Sequence, residues 1–135
     1  MNNPKLDQNR NDQRISSLID MGKVVEVNLS NYTARVQVKP TLITGWLRMG
    51  MMRALGDQMT WPYEVGEEVV FYTQSGDMKK GAILCALPNG ASPANGNSHV
   101  LRANVIGDVE ITAGGNISLT ASGNVTINGA RIDLN

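Results

Sequence analysis

The side chains of this chain invite four kinds of chemistry, and residue spacing limits each of them. Glu67 and Glu68 are adjacent carboxylates, the raw material of general acid–base catalysis. Neighbours on a strand point to opposite faces, so the pair cannot converge on one bond and reads as strand-edge solvation. Serines and aspartates are plentiful, but the single histidine, His99, lies in a Gly/Ser/Asn-rich stretch that offers no framework for a triad. No glycine-rich phosphate loop precedes a helix, and no Cys/His spacing matches zinc. No enzyme, no metal and no cofactor is therefore expected, with His99 left as a weak metal candidate.

The fourth chemistry is base stacking. Trp46, Trp61, Tyr63 and Tyr72 could stack bases while Arg48, Arg53, Lys79 and Lys80 meet phosphates, as in single-stranded nucleic-acid binders. Against it, residues 21–88 hold seven basic and six acidic side chains, whereas such a binder presents a basic groove. The whole chain balances 12 Lys and Arg against 12 Asp and Glu, so it has no general pull toward nucleic acid or anionic membrane.

The elements that position these residues follow from composition and periodicity. All six aromatic residues lie between 32 and 72, and residues 89–135 contain none. A segment without aromatics that still alternates apolar and polar cannot build an ordinary core alone, which places a domain boundary near Pro88. Residues 1–20 form a polar segment without the apolar stretch of a secretory leader. Within it, Ile15, Leu18 and Ile19 mark one face of a short helix over about 12–21. No stretch approaches the roughly 20 apolar residues that span a bilayer.

Residues 21–88 read as a small antiparallel barrel of the OB type. A hairpin over 22–38 turns around 28–31, with Val25, Val27 and Leu29 alternating on its first strand. Tyr32, Ala34, Val36 and Val38 share one face of its second. Pro40 ends it, a third strand over 43–49 carries Trp46, and 62–72 is a turn followed by a strongly β-prone strand. Ser75-Gly76-Asp77 makes a turn, and a last strand runs over 81–87 with Cys85 as a small core residue. The methionines at 49, 51, 52 and 59 are expected to fill irregular core or interface gaps. Residues 89–99 are a linker by composition.

From residue 107 the sequence repeats with a period of eight. Gly107-Asp108-Val109-Glu110-Ile111 aligns with Gly115-Asn116-Ile117-Ser118-Leu119, and with Gly123-Asn124-Val125-Thr126-Ile127. Arg131-Ile132-Asp133-Leu134 begins a shortened last repeat. Val109, Ile111, Ile117, Leu119, Val125, Ile127, Ile132 and Leu134 point to one face of the strands, while Glu110, Ser118, Thr126 and Asp133 point to the other. Gly107, Gly115 and Gly123 open the repeats, at corners that need either a positive φ or close approach to another chain. One chain of such repeats leaves strand edges exposed, an aggregation hazard. Three chains wound on one axis bury the apolar face and pair the edges, so residues 100–135 are expected to form a trimeric, intertwined β-helix. A single-chain solenoid is the less favoured alternative.

With these pieces in order, the chain resembles the phage baseplate assembly protein V family, the central spikes of contractile tails, which is related to type VI secretion spikes. The resemblance runs from about residue 15 to 135. It rests on Gly22-Lys23-Val24 opening the barrel, on Pro62-Tyr63-Glu64-Val65-Gly66-Glu67-Glu68-Val69, on Gly81-Ala82-Ile83-Leu84 and on the octads. It implies an all-β protein, an OB-fold collar leading into a homotrimeric needle that pierces the host outer membrane. The implied location is the tail baseplate of a virion or tail-like particle, assembled in the host cytoplasm. The implied partners are a baseplate hub protein on the barrel and a PAAR-type tip protein at the far end, with no nucleic acid and only transient contact with the outer membrane. Relatives often end in a His-x-His iron apex. Here the one histidine is His99, so no metal tip and no axial ion is predicted. The alternatives are the OB-fold single-stranded nucleic-acid binder and a short trimeric fibre or adhesin, which shares the β-helix but has no need of a barrel first.

Overall fold

A computed structural model of the chain describes residues 3–90, 96 and 98–135, and the backbone alone of residues 11–17. The chain divides into two units, Met1–Ser98 and His99–Asn135. Part of the linker expected over 89–99 falls outside the described residues.

The first unit opens with helix α1 (Pro4–Leu18). The Asn3 side chain caps it, accepting a hydrogen bond from the Lys5 N–H at 3.1 Å. Pro4 occupies a position whose N–H has no intrahelical partner anyway. The helix starts earlier than apolar spacing predicts, because this cap carries no hydrophobic signature. It stops at Leu18 because Ile19 already pairs with Tyr72 as a strand. Of the apolar face expected there, Ile15 lies outside the described side chains, and Ile19 sits on a strand with 63% of its surface exposed.

Six strands follow: β1 (Ile19–Asn28), β2 (Thr33–Lys39), β3 (Leu42–Ile43), β4 (Leu47–Met49), β5 (Glu68–Gln74) and β6 (Asp77–Leu87). The third strand expected over 43–49 is thus two pieces, broken by Thr44, Gly45 and Trp46. Neighbours in the sheet run β1-β5-β6-β4-β2-β3, and β1 also pairs with β2. That extra pairing closes five strands into an OB-like barrel, with β3 as a short flap on β2. All pairings are antiparallel except β4 with β6, where Arg48 meets Ala82 and Met49 meets Ile83 in parallel. Closure removes the free edges that an open sheet of this size would carry.

The core is small and alternates along the strands. Val24, Ala34, Val36, Leu47, Met49, Val69, Phe71 and Ile83 are each no more than 4% exposed. Ala34 and Val36 share a face as their spacing predicts. Strand β1 differs: Val24 pairs with Val36 and Glu26 with Arg35, so Val25 is an extra, bulged residue. The bulge resets the phase, and Val24 and Val27 pack into the core while Leu29 is 66% exposed.

Thr44 replaces a missing rung of the ladder. It is fully buried; its hydroxyl accepts from the Val36 N–H at 2.9 Å and donates to the Gly45 carbonyl at 2.8 Å. Its own N–H donates to the Val36 carbonyl at 2.8 Å. A buried hydroxyl with both bonds made costs nothing in unsatisfied polarity, and it lets the chain leave the sheet between β3 and β4.

Cys85 is exposed, contrary to the core position expected from its apolar run. Strand β4 covers β6 only as far as Ile83, and a bulge between Val70 and Phe71 shifts the β5–β6 register at that point. Past Ile83, residues 84–86 therefore face a surface groove. The methionine expectation holds at Met49, which is buried, whereas Met52 and Met59 are 82% and 57% exposed.

In the second unit the backbone bends at residues 106–107, 114–115, 122–123 and 130, the same period of eight as the sequence. No strand pairing occurs within it, and Val105 is its only residue that is not exposed.

Candidate functional site

The eight octad residues selected from the sequence form a periodic, exposed apolar set in their unit. Val109, Ile111, Ile117, Leu119, Val125, Ile127, Ile132 and Leu134 are all 48–88% exposed. Outside a binding surface, so much apolar area on a 37-residue segment is unfavourable in water, at roughly 25 cal/mol per Å². Arg131 Nε donates to Asp133 Oδ1 at 2.8 Å. Residues two apart thus share a face in the last repeat, and Ile132 and Leu134 alternate with them.

The corner glycines narrow the reason for their own presence. Gly107, Gly115 and Gly123 do not have φ in the left-handed region, and a Cβ built on any of them meets nothing within 4 Å. Of the two reasons for glycine at these corners, a positive φ is not the one, and no part of the described chain crowds them.

His99 is exposed. Among the described residues, no group of three His, Cys, Asp or Glu could hold a metal ion. No described helix is long and apolar enough to cross a membrane. Glu67 and Glu68 are parted because only Glu68 lies on β5, while Glu67 belongs to the turn before it. Glu67 Oε2 accepts the Glu64 N–H at 2.8 Å and closes a turn, while Glu68 pairs with Lys23 in the sheet.

The barrel carries two surface depressions that share no residue. The larger, about 650 Å³, is apolar and lies where β6 outruns β4, walled by Met51, Met52, Met59, Trp61, Tyr63 and Leu84. Burial raises the pKa of Tyr63 above the ordinary phenol value, with smaller contributions from the negative charges of Cys85, Tyr32 and Glu67. The smaller, about 240 Å³, is lined by Trp46, Arg48, Tyr72, Gln74, Lys79, Lys80 and Gly81. The aromatic and basic residues that could have made one stacking track are thereby split between two surfaces. Arg53 stands apart from both, paired with Asp57 at 3.0 Å. Sequence reasoning named these residues but missed their grouping, because the parallel β4–β6 pairing that assembles the smaller cleft has no local signature.

The closed barrel agrees with the comparison to known families. A family model described as the Type VI secretion system/phage-baseplate injector OB domain matches residues 21–87, from early β1 to the last residue of β6. No curated protein matches the chain at a significant level. Through its barrel, this chain belongs to the Type VI secretion system/phage-baseplate injector OB-domain family.

Proposed function

We propose that this chain is a structural protein of the baseplate, the homotrimeric central spike of a contractile phage tail or tail-like particle. The observation that carries the reading is the octad segment, whose eight apolar side chains have no cover within their own unit. Three copies wound about one axis bury that face and pair each exposed backbone edge with a neighbour. Glycine corners free of contacts in one chain leave room for a second chain's backbone. The family of the barrel supports a structural baseplate role, with the barrel as the collar that meets a hub protein.

The action is mechanical. Sheath contraction supplies the force, and the needle transmits it through many interchain backbone bonds without unfolding. The alternating Glu110, Ser118, Thr126 and Asp133 keep the shaft soluble before firing. A PAAR-type tip protein at the C-terminal end completes the piercing point, and no metal is assigned to His99.

Light scattering on the purified protein tests this directly. A solution mass of about 44 kDa, three times 14.6 kDa, is expected. A 14.6 kDa monomer would overturn the trimeric spike.

A further inference from the structure

The smaller cleft is not accounted for by a needle, and it is built rather than incidental. The Gly45 N–H donates to the Met78 carbonyl at 2.8 Å, which draws the chain just before β4 against β6. A Cβ on Gly45 would meet Lys79 Cγ at 3.0 Å and Lys79 Cα at 3.1 Å, and a Cβ on Gly81 would overlap the Tyr72 carbonyl oxygen. Two glycines thus allow the backbone contacts that set Trp46 and Arg48 beside Tyr72, Lys79 and Lys80. Arg35 lies over the Trp46 ring, 5.9 Å from its centroid. Arg35 is itself held by Glu26 at 3.0 Å and by the Thr44 carbonyl at 3.1 Å. Trp46 is therefore held on one side while 43% of the residue stays exposed.

Three cations converge on this cleft without partners. Arg48, Lys79 and Lys80 are exposed, and none of them forms an ion pair among the described residues. No carboxylate lines the cleft. The nearby Asp77 side chain accepts the Lys79 backbone N–H at 3.0 Å. Like charges held close together raise one another's energy, and an arriving anion relieves that repulsion.

We propose that this cleft is a docking socket for a carboxylate-rich segment of a protein partner. Its identification with a baseplate component rests on the spike reading above; the chemistry of the socket does not. Arg48 supplies a planar fork that matches a carboxylate. Lys79 and Lys80 supply point charges, and Trp46 supplies an apolar wall for the carbon stem of a Glu or Asp. A single-stranded nucleic acid needs a cationic track about 4–16 nucleotides long with successive stacking rings. Here the cations are confined to about 240 Å³, and Trp61 and Tyr63 lie on the other surface. A compact cluster of carboxylates fits that geometry better than a strand of phosphates.

The test uses the full chain with two fluorescent probes, an Asp/Glu-rich dodecapeptide and a 12-nucleotide oligothymidylate, followed by anisotropy at low and high salt. The expected result is saturable peptide binding, weakened by salt and reduced about tenfold in both Lys79→Gln/Lys80→Gln and Arg48→Gln. These side chains are exposed, and an unchanged light-scattering mass and melting curve in the variants separates lost binding from lost assembly. A monomeric wild type that still bound the peptide would sink the spike reading and leave the socket standing. Absence of peptide binding, or equal binding by the variants, overturns the socket. Tighter binding of the oligothymidylate overturns it in favour of nucleic acid.

Discussion

The phenol oxygen of Tyr32 accepts a hydrogen bond from the backbone N–H of Trp61 at 3.0 Å, across 29 residues of sequence. Tyr32 is the last residue of the turn between β1 and β2 and has φ of 54°, a left-handed conformation that a bulky side chain adopts only under tertiary constraint. Its carbonyl accepts the Met49 N–H at 2.9 Å. One strained residue thus ties the methionine-rich loop to the barrel on one side and β4 to the hairpin on the other. Tyr32→Phe removes the loop tie alone. It should cost about 0.5–1.5 kcal/mol and speed amide exchange at Trp61 while leaving Met49 protected. Unchanged exchange at Trp61 would show that the loop is held by other means.

Thr44 makes a sharper demand. Thr44→Val keeps the shape but leaves the buried Val36 N–H without its 2.9 Å acceptor. The expected loss is about 1–3 kcal/mol in chemical denaturation, larger than for Thr44→Ser, which keeps the hydroxyl. Equal losses in the two variants would assign the residue's value to its methyl group instead.

Two glycines separate crowding from backbone strain. Gly81 has φ of 156° and its missing Cβ would run into the Tyr72 carbonyl oxygen, whereas Gly66 has φ of 101° and open space around it. Gly66→Ala should cost about 1–2 kcal/mol, the conformational penalty alone. Gly81→Ala adds a backbone collision between β5 and β6, with a loss above about 3 kcal/mol. Thermal melts of the two variants decide the order, and a milder Gly81→Ala contradicts it.

Replacing Ile127 by Asp tests the needle with an internal control. Ile127 is 62% exposed in the single chain, so the charge carries no burial penalty there. In the proposed trimer it places three like charges on the axis, where burial without partners is very costly. Ile127→Asp should lower the scattering mass from about 44 kDa to the 14.6 kDa of one chain, and Thr126→Asp, one residue over on the outward face, should not. A normal trimer from Ile127→Asp contradicts the inward assignment of Val125 and Ile127.

Tyr63 predicts a dependence on alkaline pH. Its pKa is raised, first by burial and then by the charges of Cys85, Tyr32 and Glu67, so the native state holds the phenol proton more tightly than the unfolded chain. The associated stability is present in full below the ordinary phenol pKa of about 10 and declines as pH rises through the native value. In an absorbance titration, Tyr63→Phe should remove a late-ionising component, and the variant should lose less stability than wild type at high pH. An early-ionising Tyr63 would contradict this placement in the groove.

Features that depend on neighbours in the chain were legible from residue order alone. The octad period, the alternation of Ala34 and Val36 and the turn at Ser75-Gly76-Asp77 are local patterns, and the backbone follows them down to bends spaced by eight residues. The same local order carried the resemblance to baseplate spikes, and the family of the barrel agrees with it.

Features that depend on distant pairing emerged only with the folded barrel. The bulge at Val25 exists because β1 must change partners, from β5 at Lys23 and before to β2 from Lys23 onward. That one extra residue moves the inward position to Val24. Cys85 is exposed because β4 ends early, a fact about a strand some 35 residues away that no window around the cysteine contains. The grouping of Trp46 and Arg48 with Lys79 and Lys80 arises from the parallel β4–β6 contact and the glycines that permit it. Periodicity reports which residues alternate; only closure of the barrel selects which edges meet, because the hydrogen bonds that choose partners join segments far apart in sequence.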